Sequence, residues 1–242
     1  ITNAKYFSSS DCSNQVTEII NAKTYYAKVN YIINSLPEQE YPYVIEIVVK
    51  PKEITTYKLI TGENFDGNKV YDAKSYVSLS LDDICSNDQD KVVSLIATYL
   101  NENNEKVNNA SLQERKIEIT LQTIDEYSYL TNNYIFNVES LMGKINVREI
   151  TLSFNNSVET EYIYAGLFTK NFGINDLNIV QGELVDGDVL KSILLTINLS
   201  DVKAYLLKEF AVVEPAVIKD SNNNNVSDNY KVLFNETDSI NI

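Results

Sequence analysis

The chain writes one stretch twice. Val29, Tyr31, Ile33 and Asn34, followed by Glu38, Glu40, Tyr41 and Tyr43, return about 120 residues later as Ile150, Leu152, Phe154, Asn155, Glu159, Glu161, Tyr162 and Tyr164. Gly62, Glu63, Asp66 and Gly67 come back as Gly182, Glu183, Asp186 and Gly187. Leu79, Leu81, Asp83 and Ile84 match Ile197, Leu199, Asp201 and Val202. Three matches in the same order point to an internal duplication. Such a period divides 242 residues into two halves, each able to bury its own core. The sequence therefore predicts an extended polar arm over residues 1–15, a first domain over 16–125 and a second over 126–242.

Both halves carry the two-residue period of half-buried strands. Val29, Tyr31 and Ile33 face one way and Lys28 and Asn30 the other; Ile150, Leu152 and Phe154 alternate with Glu149, Thr151 and Ser153. Further β-prone runs cover 43–49, 55–60, 76–81, 92–100 and 116–124 in the first half. In the second they cover 162–168, 177–181, 193–199, 210–218 and 230–234. Turn residues separate them: Pro37, Pro51, Gly62, Asp66-Gly67 and Asp186-Gly187. Only 202–210 could hold a turn or two of helix. Six or seven short strands per copy predict an all-β chain of two tandem Ig-like antiparallel β-sandwich domains. The Cys, Trp and Cys of antibody domains are missing, since there is no Trp at all.

Chemistry is sparse. The chain has no histidine, which removes the commonest general base and metal ligand together. No catalytic motif replaces it, so no enzyme activity and no cofactor are expected. Glu38 and Glu40, with Glu159 and Glu161, are spaced as acid and base pairs but read as a polar rim beside a turn. Tyr41, Tyr43, Tyr162 and Tyr164 could offer sugars a platform, although alternating tyrosines usually pack with their hydroxyls at the edge. Asp220, Asn222, Asn224 and Asp228 have the alternate-oxygen spacing of a calcium loop, without its central glycine and bidentate glutamate. Asn-x-Ser/Thr triplets start at Asn109, Asn155, Asn198, Asn225 and Asn235, as chance allows in an Asn-rich chain. Cys12 and Cys85 leave three states open: an internal bridge, a link between subunits through the polar arm, or free thiols.

A net charge of −14, spread over both halves, argues against nucleic acid or anionic lipid as partner, which need clustered Lys or Arg. No apolar run approaches the length of a membrane span, so no membrane insertion is expected.

The order of residues 25–34, 44–49, the Leu81-Asp82-Asp83-Ile84 turn and the strand at 91–99 resembles the conserved repeat domain found in tandem on bacterial surface proteins. Residues 217–232, with Asp220-Ser221-Asn222 and Val226-Ser227-Asp228-Asn229-Tyr230, look like the terminal hairpin of bacterial surface Ig-like modules. The glycine usual before the last strand of that family is absent here. An acidic two-copy protein of this size also looks somewhat like the main proteins of clostridial spore appendages. The resemblance implies an extracellular, cell-surface or spore-surface location. It also implies a structural subunit that forms a homo-oligomer or polymer, with other surface proteins as further partners. An adhesin or glycan-binding module, and a phage or virion fibre component, are the alternative expectations.

Overall fold

The computed structural model describes residues 2–31, 41–137, 141–156, 158–163 and 166–241. Strand makes up 49% of it against 10% helix, so the protein is all-β, as the alternating segments predict. In chain order the strands are β1 (Thr2–Phe7), β2 (Gln15–Val16), β3 (Thr24–Tyr31), β4 (Tyr41–Val48), β5 (Lys52–Ile54), β6 (Lys69–Val70), β7 (Tyr76–Leu79), β8 (Val92–Leu100), β9 (Arg115–Thr123) and β10 (Tyr134–Phe136). They continue as β11 (Met142–Gly143), β12 (Ile145–Asn146), β13 (Arg148–Phe154), β14 (Phe168–Gly173), β15 (Leu177–Gln181), β16 (Val189–Leu199), β17 (Ala204–Leu206), β18 (Ala211–Lys219), β19 (Tyr230–Phe234) and β20 (Ser239–Asn241). One short helix, α1 (Ser86–Gln89), follows the Leu81–Ile84 turn.

Contacts divide the chain into two compact units. One comprises Ile1–Asp66, Val77–Thr98 and Glu118–Ser140, the other Gly67–Tyr76, Tyr99–Ile117 and Leu141–Ile242. Residue 125, where the sequence places a single boundary, falls inside the last segment of the first unit. Three of the divisions fall within β7, β8 and β9.

In the first unit an antiparallel sheet has the order β2-β1-β3-β4. The residues expected as an extended arm thus supply a strand, β1, bonded on both sides. Its apolar alternation is missing from the sequence; Ala4 and Lys5 are exposed, Tyr6 is half-buried and Phe7 is buried. Backbone pairing with β3 from Thr2 to Phe7 places it instead. In β3 the period of two is plain: Tyr25, Ala27 and Val29 are buried while Lys28 is exposed. β5 and β10 pair in parallel, and the 3-10 stretch Asp125–Asn133 before β10 buries Leu130. Asn133 closes that stretch back on the sheet, its Oδ1 accepting the Ala22 N–H at 2.7 Å.

The second unit is sandwich-like. One sheet is β15-β13-β19, with β13 and β19 parallel; another is β14-β16-β18. Leu152 and Leu177 from the first meet Phe172, Ile193, Leu195 and Leu199 from the second in one buried cluster, joined by Tyr205, Leu207, Phe210 and Ile240. The rings of Phe154, Phe172 and Phe210 sit 5.2 to 5.8 Å apart in tilted pairs, the arrangement that the ring quadrupole favours.

Strands over 92–100, 177–181 and 230–234 lie where the sequence predicts them. Two expected strands do not. Residues 55–60 make only isolated bridges, at Lys58 and Leu59. The strand expected over 162–168 starts at Phe168 and continues to Gly173, because Tyr162 is tied to the C-terminal segment, its N–H bonding the Asn241 carbonyl at 2.9 Å. In 202–210 the helical turn is limited to Leu207–Glu209, preceded by β17. The Pro37 turn over 35–40 lies outside the described residues, as do Ile33 and Asn34.

The glycines Gly62, Gly67, Gly182 and Gly187, which the sequence aligns, all have positive φ, so both stretches bend the chain through conformations that other residues resist. The aligned strands that precede each pair are bonded differently. β3 lies between two antiparallel neighbours, whereas β13 has one antiparallel and one parallel.

Gly67 and Gly143 show the tightest backbone approach: a β-carbon on Gly143 would run into the Gly67 carbonyl. Gly143→Ala should therefore destabilise the second unit by about 2–4 kcal/mol, since both clashing groups are backbone. Gly62, at φ 90°, has no atom within 4 Å of a built β-carbon. Gly62→Ala should cost only the left-handed backbone, about 1–2 kcal/mol. Urea unfolding of the two variants checks the ranking.

Candidate functional site: locked hairpins and an open sheet edge

Strands β8 and β18 end in the same device. Leu100 bridges Lys106, and Lys219 bridges Asn225. The Asn101 N–H bonds the Glu105 carbonyl at 2.9 Å, and the Asp220 N–H bonds the Asn224 carbonyl at 3.0 Å. Asn104 and Asn223 take the left-handed conformation, at φ 60° and 66°. Inside each loop one side-chain oxygen takes up two backbone N–H groups. Asn101 Oδ1 accepts from Asn103 and Glu105, both at 2.9 Å. Asp220 Oδ1 accepts from Asn222 at 2.9 Å and Asn224 at 2.8 Å. Asn tolerates positive φ better than most residues, and Asx oxygens mimic a backbone turn, so the Asn richness of these loops has a conformational cause.

That geometry decides how the calcium spacing reads. The second Asp220 oxygen accepts the Asn224 amide at 3.0 Å, so the carboxylate faces its own loop. Asp228 lies exposed on the following 3-10 turn. Among the described residues no three acidic or thiol side chains converge as a metal site. The Asn224 side chain, followed by the Asn224 and Asn222 N–H groups, holds the Asp220 carboxyl below its ordinary pKa.

The other candidates are scattered. Cys12 is a half-buried free thiol at φ 55°, in a loop closed by Ser9, Asp11 and Ser13. Cys85 is a free, exposed thiol at the start of α1, its N–H bonded to the Tyr134 hydroxyl at 3.2 Å. Glu159 and Glu161 are exposed. Glu38, Glu40 and Tyr164 lie outside the described residues, and so does the side chain of Tyr41. Tyr162 packs 6.0 Å from Phe168 with the Lys170 ammonium 4.9 Å above its ring. Two of the Asn-x-Ser/Thr triplets are Asx turns: Asn225 Oδ1 accepts the Ser227 N–H and hydroxyl, and Asn235 Oδ1 those of Thr237.

Each unit also holds a buried tyrosine anchored on an aspartate. Tyr134 donates to Asp88 at 2.7 Å, and Tyr230 donates to Asp188 at 2.6 Å while accepting the Val185 N–H at 2.9 Å. Burial first, and then the carboxylate, push both phenols above their ordinary pKa, so they stay protonated as donors. Among the ion pairs of the described residues Lys69 is the most enclosed cation, its side chain 7% exposed beside Asp72. Burial lowers its pKa, and Asp72 opposes the shift. These groups tie loops to strands, so they supply structure.

What remains chemically unspent is the edge of the β2-β1-β3-β4 sheet. β4 pairs with β3 without a register shift from Val48 opposite Thr24 to Tyr41 opposite Tyr31. Among the described residues its other side has no strand partner. Tyr43 is 60% exposed, Val44 43%, Ile45 40% and Val48 58%, so both faces of the strand present apolar side chains to solvent. Among the described residues it is the longest edge strand with an unbroken register. β18, also an edge, carries Glu214 and Pro215 and shifts register repeatedly against β16. Short strands, bulges, prolines and charges are the usual protections of an edge, and β4 has few of them.

Comparison with protein-family models, characterised proteins and solved structures finds no match for the chain. Among the described residues no helix is long and apolar enough to cross a membrane.

Asp220→Asn should keep the second hairpin, because Asn101 performs the same role with a carboxamide. Asp220→Ala should release the Asn222 and Asn224 N–H groups. Amide exchange over 222–226 separates the two outcomes, protected in the first and fast in the second. The depressed pKa also has a pH signature. A carboxylate favoured in the folded state contributes stability above its unfolded pKa and loses it as pH falls through the folded value. The acid-side fall in melting temperature should therefore be shallower in Asp220→Asn, and added calcium should move the melting temperature of neither protein.

Proposed function

We propose that this chain is a non-enzymatic structural subunit, built from two divergent copies of one Ig-like sandwich module, that assembles with itself into a bacterial surface fibre or layer. The observation that carries the reading is the pair of matched hairpins after β8 and β18. They share backbone bonding, a left-handed Asn and a doubly accepting Asx oxygen. Together with the positive-φ glycines at matched positions, they support duplication of a module beyond what the letters alone suggest. Duplicated all-strand modules suit a scaffold role, since they leave loops and sheet edges open for joining. The long, open, apolar edge of β4 supports self-assembly in particular. The surface location follows from the resemblance of residues 25–34, 44–49, 81–84 and 217–232 to surface repeat modules.

Negative-stain electron microscopy of the purified full chain, with and without reductant, tests the reading. Filaments or sheets are expected. If reductant dissolves them, Cys12 or Cys85 links subunits; if it does not, strands and loops carry the joints. Compact monomers under every condition overturn the proposal.

A further inference from the structure

We infer that Asp186 is a site of spontaneous backbone modification: its side chain closes on the Gly187 nitrogen to a succinimide, which opens to isoaspartate and frees the turn from Tyr230. The inference is independent of the assembly reading above.

The chemistry lies in the pair Asp186-Gly187. The Gly187 nitrogen attacks Cγ of the Asp186 carboxyl in its acid form. An N–C bond forms, and the carboxyl hydroxyl leaves with the amide hydrogen as water. Water then opens the five-membered ring. Addition at the side-chain carbonyl restores aspartate, whereas addition at the main-chain carbonyl leaves the chain running through Cβ and Cγ. Solvent water is the only other reactant, and the product has the mass of the starting chain. Ring closure needs a peptide unit that can rotate and a nitrogen that no side chain shields, and a glycine after the aspartate meets both needs.

The local structure leaves that rotation free. The Asp188 N–H bonds the Val185 carbonyl at 2.9 Å, so 185–188 form a four-residue turn with Gly187 at φ 88°. Asp186 and Gly187 are both exposed. Among the described residues neither the Gly187 N–H nor the Asp186 carbonyl has a hydrogen-bond partner, so the peptide between them turns without breaking a bond. A β-carbon on Gly187 would meet only the Ser221 side chain, at 3.5 Å or more.

The aligned pair Asp66-Gly67 has the same letters and nearly the same φ, 91°. Gly67, however, is buried. Its carbonyl accepts the Tyr99 hydroxyl at 2.8 Å, and the Met142 and Gly143 backbone crowds it. One pair is open to cyclisation and the other is clamped.

Isomerisation reaches the core through Tyr230. Its hydroxyl accepts the Val185 N–H at 2.9 Å and donates to Asp188 at 2.6 Å, which pins both ends of the turn. An isoaspartate lengthens the main chain between those ends by one carbon, so the turn no longer fits both bonds.

The test is to hold the purified full chain near neutral pH at physiological temperature for several weeks, then map its peptides by fragmentation that distinguishes isoaspartate. Isoaspartate at 186 should exceed that at 66 about tenfold or more. In urea the two sites should isomerise alike. Asp186→Glu keeps the charge but would need a six-membered ring, so it should yield no product at 186. Amide exchange at Val185 should quicken in aged wild type and stay slow in aged Asp186→Glu. Equal yields at 66 and 186 in the folded chain, or none at 186, overturn the proposal. A contrast that persists in urea belongs to the neighbouring letters and overturns the structural argument. Unchanged exchange at Val185 in the isomerised chain overturns the release from Tyr230.

Discussion

A single side-chain oxygen taking up two backbone N–H groups is the interaction on which this fold depends. A β-rich chain must reverse direction many times, and every reversal strands donors that the ladders cannot reach. With only 7 glycines and 4 prolines the chain has few backbone specialists for the task. Asx side chains take it over. Asn101, Asp220, Asn225 and Asn235 each hold the N–H group two residues on, and Asp11 does the same for Ser13. Where a carboxylate is used, its ionised form becomes part of the fold, as the lowered pKa values of Asp11 and Asp220 show. Acidity and turn formation are therefore linked: part of the negative surface serves as turn closure.

The tyrosines complete the same accounting from the other side. Tyr134 and Tyr230 bury their rings and use their hydroxyls to reach both an aspartate and a loop N–H. Tyr205 accepts the N–H groups of Ser200 and Asp201 in the turn after β16. An amphipathic ring can fill a core and close a loop at once. A chain with 17 tyrosines and no histidine or tryptophan uses its aromatic residues in this structural way.

How much of this was legible depends on which forces place each element. Strands that bury one face, such as β3 and β13, announce themselves through alternation, and 92–100, 177–181 and 230–234 were readable to the residue. β1 was not, because Ala4 and Lys5 are exposed and backbone pairing with β3 places the strand. The 3-10 stretch Asp125–Asn133 escaped for a similar reason: its anchors are a buried leucine and long-range bonds between the Asn133 side chain and residues 20–22, among them the Ala22 N–H. The spacing of Asp220, Asn222, Asn224 and Asp228 was visible, yet alternate oxygens mark both a cation loop and an Asx turn. Only the direction of the carboxylate separates them. The match of Asn101 with Asp220 was missed because acceptor chemistry repeats there while the letters do not.

The edges show what the core does not explain. Burial accounts for β3, β13 and β16, whose apolar rows point into packed interiors. It does not account for Tyr43, Val44, Ile45 and Val48 on one strand that solvent reaches from both faces. An edge under selection only to stay monomeric acquires charges, bulges or brevity, as β18 and the four-residue β7 illustrate. Strand pairing of modest strength is also easily reversed between isolated molecules, and a net charge of −14 opposes it further. Such a contact gains weight where copies are already held close, because the local concentration then replaces intrinsic affinity. Raising the concentration of the chain brings copies close in the same way, so pairing at such an edge is expected to grow with concentration.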